Sequence, residues 1–147
     1  MTAMDVVELL IVEDNPNDLE LTLRALQKNH VANNVHTVKD GAEALDFLFC
    51  RGSYAKRLEA QIPKLILLDL KLPKIDGKEV LRQIKANKRT FMIPVVMLTS
   101  SQQEQDVTDS YKLGANSYVV KPVDCMKFAE NISRLGLYWL TLNHSSR

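Results

Sequence analysis

Acidic, hydroxyl and lysine side chains follow four separate apolar runs of this sequence. Glu13 and Asp14 come after the first run, Asp69 after the third, Thr99 after the fourth and Lys121 after the fifth. In an open parallel α/β sheet, functional groups collect where the strands end at their carboxyl edge. We therefore expect three carboxylates, a hydroxyl and an ammonium group to meet in one cleft.

Carboxylates that lie a few ångströms apart repel one another unless a cation neutralises them. Mg²⁺ is the natural candidate, because it prefers oxygen ligands and commonly joins one or two protein carboxylates to a substrate phosphate. Such an ion would screen an incoming phosphoryl group, so that Asp69 could attack phosphorus and form an acyl phosphate. Lys121 would then pair with the new anion, and Thr99 could donate a hydrogen bond to it.

Five short apolar or β-branched runs are predicted to be the strands that position these groups. They are Val6–Val12, Val35–Val38, Leu65–Leu68, Pro94–Leu98 and Ser117–Val120. Segments with helical spacing lie between them. Continuous apolar runs are typical of strands that are buried on both faces, which favours a parallel sheet between two layers of helices. The predicted fold is therefore α/β with a (βα)₅ arrangement.

Local signals predict where two helices begin. Asn15-Pro16 offers a cap followed by proline at the first helical position, and Ser101-Gln-Gln-Glu104 has the form of a capping box. The helix after the fourth strand is expected to be polar and exposed. The polar segment from Arg51 to Pro63 is expected to be an exposed loop that extends or follows the second helix.

Length and composition indicate one domain. The 147 residues are 46% hydrophobic and 25% charged, so we predict a single domain over 1–147 with its core at about 5–142. The 19 Lys+Arg nearly balance the 18 Asp+Glu, which argues against binding to nucleic acid. The first apolar run is too short to cross a membrane, and two cysteines are too few for a disulfide framework. We therefore expect a cytoplasmic protein.

Several motifs resemble those of response-regulator receiver domains, the CheY-like family. They are Ile11-Val-Glu-Asp14, Leu67-Leu-Asp-Leu-Lys-Leu-Pro73 with Asp76-Gly77, Met97-Leu-Thr-Ser-Ser101, Gly114-Ala-Asn-Ser-Tyr118 and Val120-Lys-Pro122. The resemblance spans nearly the whole chain. It implies a doubly wound, five-stranded parallel sheet with the flavodoxin-like strand order 2-1-3-4-5.

The resemblance also implies a role for each candidate residue. The residues implied in phosphorylation and switching are Asp69 as phosphoacceptor, Thr99 as switch hydroxyl, Tyr118 as switch aromatic and Lys121 as ion-pair partner. The implied Mg²⁺ ligands are Glu13, Asp14, Asp69 and the main-chain carbonyl of Lys71. The Lys121–Pro122 bond is expected to be cis, which would aim Lys121 at the site.

Within the family, the long basic segment before the third strand and the ending Tyr138-Trp-Leu-Thr-Leu142 resemble the small response regulators of cyanobacterial phytochromes. This implies a regulator without an output domain that receives its phosphoryl group from a sensor histidine kinase, with a phytochrome as the candidate. Apolar residues recur at helical spacing from Phe128 to Leu142, which predicts a terminal helix with one apolar stripe. Leu137, Tyr138 and Leu140 lie off this stripe and would expose a second apolar patch. We therefore predict a homodimer through the fourth helix, fifth strand and fifth helix.

Other functions compete with this interpretation. Taken singly, each candidate residue has an ordinary structural explanation, such as an acid that favours a helix N-terminus. A flavodoxin-type cofactor binder needs a phosphate loop where this chain has Glu13 to Pro16, whose acids would repel phosphate. An aspartate-nucleophile phosphohydrolase usually has a second acid two residues after its nucleophile, where this chain has Lys71. A receiver-like scaffold that is never phosphorylated stays an alternative. Treatment with acetyl phosphate and Mg²⁺ distinguishes it from a phosphoacceptor.

Overall fold

The computed structural model describes residues 8–28, 34–58, 61–121 and 126–127. These residues contain one parallel sheet whose strands lie in the order β2-β1-β3-β4-β5, as predicted. The strands are β1 (Leu9–Val12), β2 (Val35–Val38), β3 (Leu65–Leu68), β4 (Val95–Thr99) and β5 (Ser117–Val120). The helices between them are α1 (Pro16–Lys28), α2 (Gly41–Leu48), α3 (Gly77–Ala86) and α4 (Glu104–Lys112).

Three of the predicted strands have the predicted bounds, the first differs at its start, and the fourth differs at both ends. The fourth strand begins at Val95 rather than Pro94 and includes Thr99. Proline has no amide proton for the ladder, and Pro94 contributes only its carbonyl, which accepts from Ile66 N at 3.0 Å. The first strand begins at Leu9, and Val6 and Val7 lie outside the described residues.

Apolar side chains cover both faces of the sheet. Successive strand residues point to opposite faces, so Leu10 packs in one core cluster with α2 and α3, and Leu9 packs in the other with α1. All four residues of β3 are buried. Burial of one leucine side chain stabilises a fold by roughly 1.5–3 kcal/mol. The two clusters therefore fix the sheet between its helical layers and leave its carboxyl edge to the loops.

The predicted start of α1 is confirmed. Asn15 Oδ1 accepts a hydrogen bond from Asp18 N at 3.0 Å, and Pro16 is the first residue of the helix. The cap satisfies one of the amide groups that have no partner within the helix. Only three residues separate the end of β1 at Val12 from the start of α1 at Pro16.

The capping box predicted for α4 is wrong. The helix begins at Glu104, and Gln103, which precedes it, makes no side-chain capping bond. Ser101 lies two residues before this position, so its hydroxyl cannot serve as the cap. It donates instead to Asp106 Oδ2 at 2.6 Å. The prediction that α4 is polar and largely exposed is confirmed, with Asp106 and Ser110 as its buried residues.

The segment predicted as an exposed loop is partly ordered against α2. It contains a 3₁₀ helix at Gly52–Tyr54, and the Arg57 guanidinium lies 3.7 Å from the centre of the Phe47 ring. Arg57 also donates to the Phe47 carbonyl. The last carbonyls of a helix lack partners within it, so this arginine completes the end of α2. Several other residues of the segment are exposed, as expected.

Several predictions fall on residues that lie outside the described part of the chain. These are the cis Lys121–Pro122 bond, the terminal apolar stripe from Phe128 to Leu142 and the fifth helix of the proposed dimer face. The single domain over 1–147 stays a prediction. Among the residues that the structure does describe, no helix is both long enough and apolar enough to cross a bilayer.

Candidate functional site

The ends of β1 and β3 bring three carboxylates together. Glu13 and Asp14 directly follow β1, Asp69 directly follows β3, and the two strands are neighbours with Val12 opposite Leu68. The amide of Asp69 donates to the Val12 carbonyl at 3.1 Å, which fixes the backbone at this point. One oxygen of each carboxylate lies within 4.8 Å of the other two. Glu13 and Asp69 are buried, whereas Asp14 is exposed to solvent.

Lys121, at the end of β5, donates hydrogen bonds to three carboxylates. Its Nζ lies 2.5 Å from Glu13 Oε1, 3.0 Å from Asp18 Oδ2 and 3.2 Å from Asp69 Oδ2. Its backbone amide donates to the Thr99 carbonyl at 2.8 Å, which ties it to the neighbouring strand. Burial alone would lower the pKa of Lys121, but the bonds to Glu13 and Asp18 and the charge of Asp69 raise it overall. The ammonium group is therefore charged at neutral pH.

The site is rich in negative charge even with this lysine in place. Burial raises the pKa of Glu13 to about 7, although the hydrogen bond from Lys121 opposes the rise. The charge of Asp69 adds to the rise, and a hydrogen bond from Asn15 N opposes it. A hard divalent cation would compensate these charges, and an all-carboxylate donor set suits such a cation better than it suits zinc.

The predicted switch residues meet at Ser101. Thr99 is the buried last residue of β4, and its Oγ1 accepts from Ser101 N at 3.3 Å. The Tyr118 hydroxyl donates to the Ser101 carbonyl at 2.9 Å, and its side chain is half-buried. A displacement of Thr99 would therefore be transmitted through Ser101 to both β5 and α4. The sequence analysis did not identify this role of Ser101.

A cleft of about 480 Å³ opens beside the acids. Its lining includes the polar residues Asp14, Lys71, Asp76, Lys78 and Asp106. Its size and polarity leave room for a small phosphorylated group and solvent. The amide of Lys71 lies 3.4 Å from Asp69 Oδ1, so Lys71 borders the site as predicted. The role of the Lys71 main-chain carbonyl as a metal ligand stays a prediction.

Gly77 makes the close approach of α3 to the site possible. Its amide donates to the Leu70 carbonyl at 2.9 Å. A Cβ atom at this position would lie 2.2 Å from the Asp69 carbonyl oxygen and 2.6 Å from the Leu70 carbonyl oxygen. Any larger residue would push the Asp69 backbone or α3 out of place.

Two further charged residues were missed by the sequence analysis. Asp18 contacts Lys121 from the first turn of α1, and its place next to a capped helix start was the available signal. Lys78 donates to Asp106 Oδ1 at 2.9 Å and to Asp109 Oδ2 at 3.0 Å, and so links α3 to α4. No local pattern marks Lys78, because its partners lie on another helix.

Comparison with known proteins identifies the family. Residues 9–133 match the response regulator receiver domain. The chain belongs to this family. Among curated relatives, the probable methanogenesis regulatory protein FilR2 of Methanothrix harundinacea is 37% identical over 145 residues, which cover 99% of this chain and 91% of that protein. Response regulator Rcp1 of Synechocystis is 38% identical over 132 residues, which cover 90% of this chain and 88% of Rcp1.

Solved receiver structures agree with this assignment. The bacteriophytochrome response regulator AtBRR is 53% identical, with a TM-score of 0.81 over 91% of this chain and 95% of that chain. The Mn²⁺-bound form of Rcp1 is 37% identical, with a TM-score of 0.75 over 91% of this chain and 94% of that chain. The phosphorylated phytochrome response regulator RcpA is 40% identical, with the same TM-score and coverage. The receiver fold implied by the motifs is thus confirmed.

The family assignment bears on two of the functions left open by the sequence. This receiver domain is a signalling protein, and neither a flavodoxin-type cofactor binder nor a phosphohydrolase is favoured by its relatives. The acidic cluster of this receiver domain has the donor atoms that a divalent cation requires.

Proposed function

We propose that this receiver domain accepts a phosphoryl group on Asp69 in a Mg²⁺-dependent reaction and thereby changes its contacts with other proteins. One observation carries the proposal. The buried Asp69 carboxylate lies beside two further carboxylates, within 4.8 Å, and beside the Lys121 ammonium, 3.2 Å away. Asp69 therefore has next to it both carboxylates suited to a metal and an ammonium group suited to a phosphoryl oxygen.

In the proposed reaction, an Asp69 carboxylate oxygen attacks phosphorus and the bond from phosphorus to the donor breaks, which leaves an acyl phosphate on Asp69. Glu13, Asp14, Asp69 and the Lys71 carbonyl would hold Mg²⁺. When bound, the ion supplies positive charge that screens the phosphoryl oxygens. Lys121, whose Nζ lies 3.2 Å from Asp69 Oδ2, would pair with the new anion.

The proposed output uses the contacts around Ser101. The Thr99 hydroxyl donates to a phosphoryl oxygen in the phosphorylated state, and its movement shifts Ser101 and the Tyr118 side chain bonded to it. We propose that the output surface is a homodimer interface formed by α4, where Tyr111 is exposed, with β5 and the fifth helix. Light scattering that shows a monomer both with and without phosphate would exclude the dimer.

We propose that this protein is cytoplasmic and that its phosphoryl donor is the phosphohistidine of a sensor histidine kinase of the phytochrome type. The names of AtBRR and RcpA, which link those two proteins to phytochromes, support this choice. FilR2, by its name, serves another process, so the kinase has to be identified directly. Phosphotransfer profiling against the histidine kinases of the source organism tests it. Exclusive transfer from a kinase without a phytochrome sensor would exclude the phytochrome assignment.

Acetyl phosphate with Mg²⁺, followed by mass spectrometry, tests the phosphoacceptor. We expect the wild-type protein to gain one hydroxylamine-sensitive phosphoryl group and Asp69→Asn to gain none. Asp76→Asn is the matched control, because Asp76 lines the same cleft and is not part of the carboxylate cluster. Labelling that persists in Asp69→Asn contradicts the assignment, and an unlabelled wild-type protein favours the non-phosphorylated scaffold.

A further inference from the structure

Lys121 has one carboxylate partner that is not part of the metal cluster. Asp18 accepts from Lys121 Nζ at 3.0 Å, and its side chain is 37% exposed. The other two partners, Glu13 and Asp69, are 3% and 9% exposed. The three partners therefore differ in how readily water can replace the hydrogen bond from the lysine.

The local sequence fixes the place of Asp18. It lies in the first turn of α1, and its own amide is capped by Asn15 Oδ1 at 3.0 Å. A carboxylate in the first turn of a helix is favoured by the helix dipole. The helix start at Pro16 therefore presents an anion to Lys121 at little cost in stability.

The hydrogen-bonding capacity of the ammonium group limits what Lys121 can bind. It has three protons, and each is donated to one carboxylate in this structure. A phosphoryl oxygen on Asp69 can receive a hydrogen bond from Lys121 only if one of the present bonds is given up or shared. Asp69 loses its carboxylate charge when it becomes an acyl phosphate, and the phosphoryl group carries the charge instead. Of the two partners that stay carboxylates, Glu13 is 3% exposed, so water cannot readily replace the hydrogen bond that it would lose. Asp18 is therefore released at the lower cost, because solvent reaches it.

We propose that Asp18 is a positioning residue that holds Lys121 in the resting protein and is exchanged for a phosphoryl oxygen when Asp69 is phosphorylated. The inference rests on the proposed function and adds a specific resting partner to it. Asp18 also places a further negative charge near the incoming phosphoryl group. It therefore favours the unphosphorylated state.

The substitution Asp18→Asn keeps the shape of the side chain and removes its charge. We expect the ratio of phosphorylated to unphosphorylated protein, at limiting acetyl phosphate and fixed Mg²⁺, to rise about two- to fivefold, the range for a partly exposed charge pair. Asp18→Glu should restore most of the wild-type ratio. Glu20→Gln is the matched control, because Glu20 lies on the same helix and pairs with Arg24.

A second readout needs no phosphate. Ammonium protons held by three carboxylates exchange slowly with water, so the Lys121 side-chain ammonium resonance should be visible by NMR in the resting wild-type protein. Its proton exchange should accelerate in Asp18→Asn and stay unchanged in Glu20→Gln. Lys121→Arg, which lacks an ammonium group, assigns the signal.

The labelling and exchange results distinguish the role of Asp18 from the proposed phosphorylation of Asp69. A wild-type protein that is labelled, together with an Asp18→Asn variant whose labelling and Lys121 exchange are unchanged, overturns the role of Asp18 and leaves the proposed function intact. A wild-type protein that takes no phosphate overturns both. An increase in labelling that is equal in Asp18→Asn and Glu20→Gln also overturns the role, because it reflects only net charge.

Discussion

Removal of the Lys121 ammonium group should destabilise the metal-free protein more than removal of any ordinary surface lysine. Lys121→Met keeps much of the side-chain volume and deletes the cation that three carboxylates share. Glu13 and Asp69 would then be buried without a counter-charge. Loss of one partner of a buried ion pair costs about 3–5 kcal/mol, whereas a partly exposed pair such as that with Asp18 adds less than about 1 kcal/mol.

The stability lost in Lys121→Met should depend on pH. The hydrogen bond from Lys121 opposes the burial that raises the pKa of Glu13 to about 7. Without the lysine, the pKa of Glu13 rises further, so the native variant takes up a proton near neutral pH. Protonation removes one of the uncompensated charges. The free-energy difference between wild-type protein and variant should therefore be largest, about 3–5 kcal/mol, near pH 8 and shrink toward pH 6.

Urea unfolding in the presence of a chelator measures this difference at each pH. Lys112→Met is the matched control, because Lys112 is an exposed lysine at the end of α4, and it should cost less than about 1 kcal/mol. Glu13→Gln added to Lys121→Met should recover part of the stability. A loss of stability no larger than that of Lys112→Met, or one that does not vary with pH, would show that Glu13 and Asp69 do not depend on Lys121 for their counter-charge.

Three further predictions concern the acids, α3 and α4. The pKa of Glu13 is raised from 4.5 to about 7, so the native metal-free protein binds a proton that the unfolded chain does not. The free energy of unfolding should therefore rise by up to about 3 kcal/mol as pH falls from about 7.5 to 5. Urea unfolding of Glu13→Gln should lack this rise. Gly77→Ala should lower the free energy of unfolding by about 1–3 kcal/mol and reduce labelling, since its Cβ would lie 2.2 Å from the Asp69 carbonyl oxygen. Unchanged thermal unfolding and labelling would contradict the close approach of α3 to the Asp69 backbone. Lys78→Met removes two partly exposed ion pairs, so it should speed amide hydrogen exchange in α4 and lower the global free energy of unfolding by less than about 1 kcal/mol. Unaltered exchange would show that these pairs do not hold α4.

The sheet and the acids of the site were predictable because their signals are local. The run Leu65–Leu68 is apolar throughout, as a strand buried on both faces requires, and the next residue is Asp69. The same logic placed Glu13 and Asp14 at the end of β1. Strand order came from the family resemblance, because nothing in the runs themselves specifies which strands are neighbours.

Other features depend on contacts between distant parts of the chain. Asp18 and Lys121 are 103 positions apart, so their contact depends on how α1 lies against the end of β5. Arg57 belongs to the segment predicted to be an exposed loop, but its guanidinium group completes the end of α2. The pattern from Ser101 to Glu104 matched a capping box, yet Ser101 is bonded to Asp106 and Tyr118 and lies before the helix. Tertiary contacts overrode the local signal there.

The most direct test of the account is a Mg²⁺ titration of phosphoryl incorporation, mapped to the residue by peptide mass spectrometry in wild-type protein and Asp14→Asn. We expect Asp69 to be the labelled residue in both proteins and a chelator to prevent labelling. Asp14→Asn should require more Mg²⁺ than the wild-type protein for the same extent of labelling. Labelling of Asp69 that proceeds equally well without a divalent cation, or a phosphoryl group on another residue, would contradict the proposed Mg²⁺-dependent phosphorylation of Asp69.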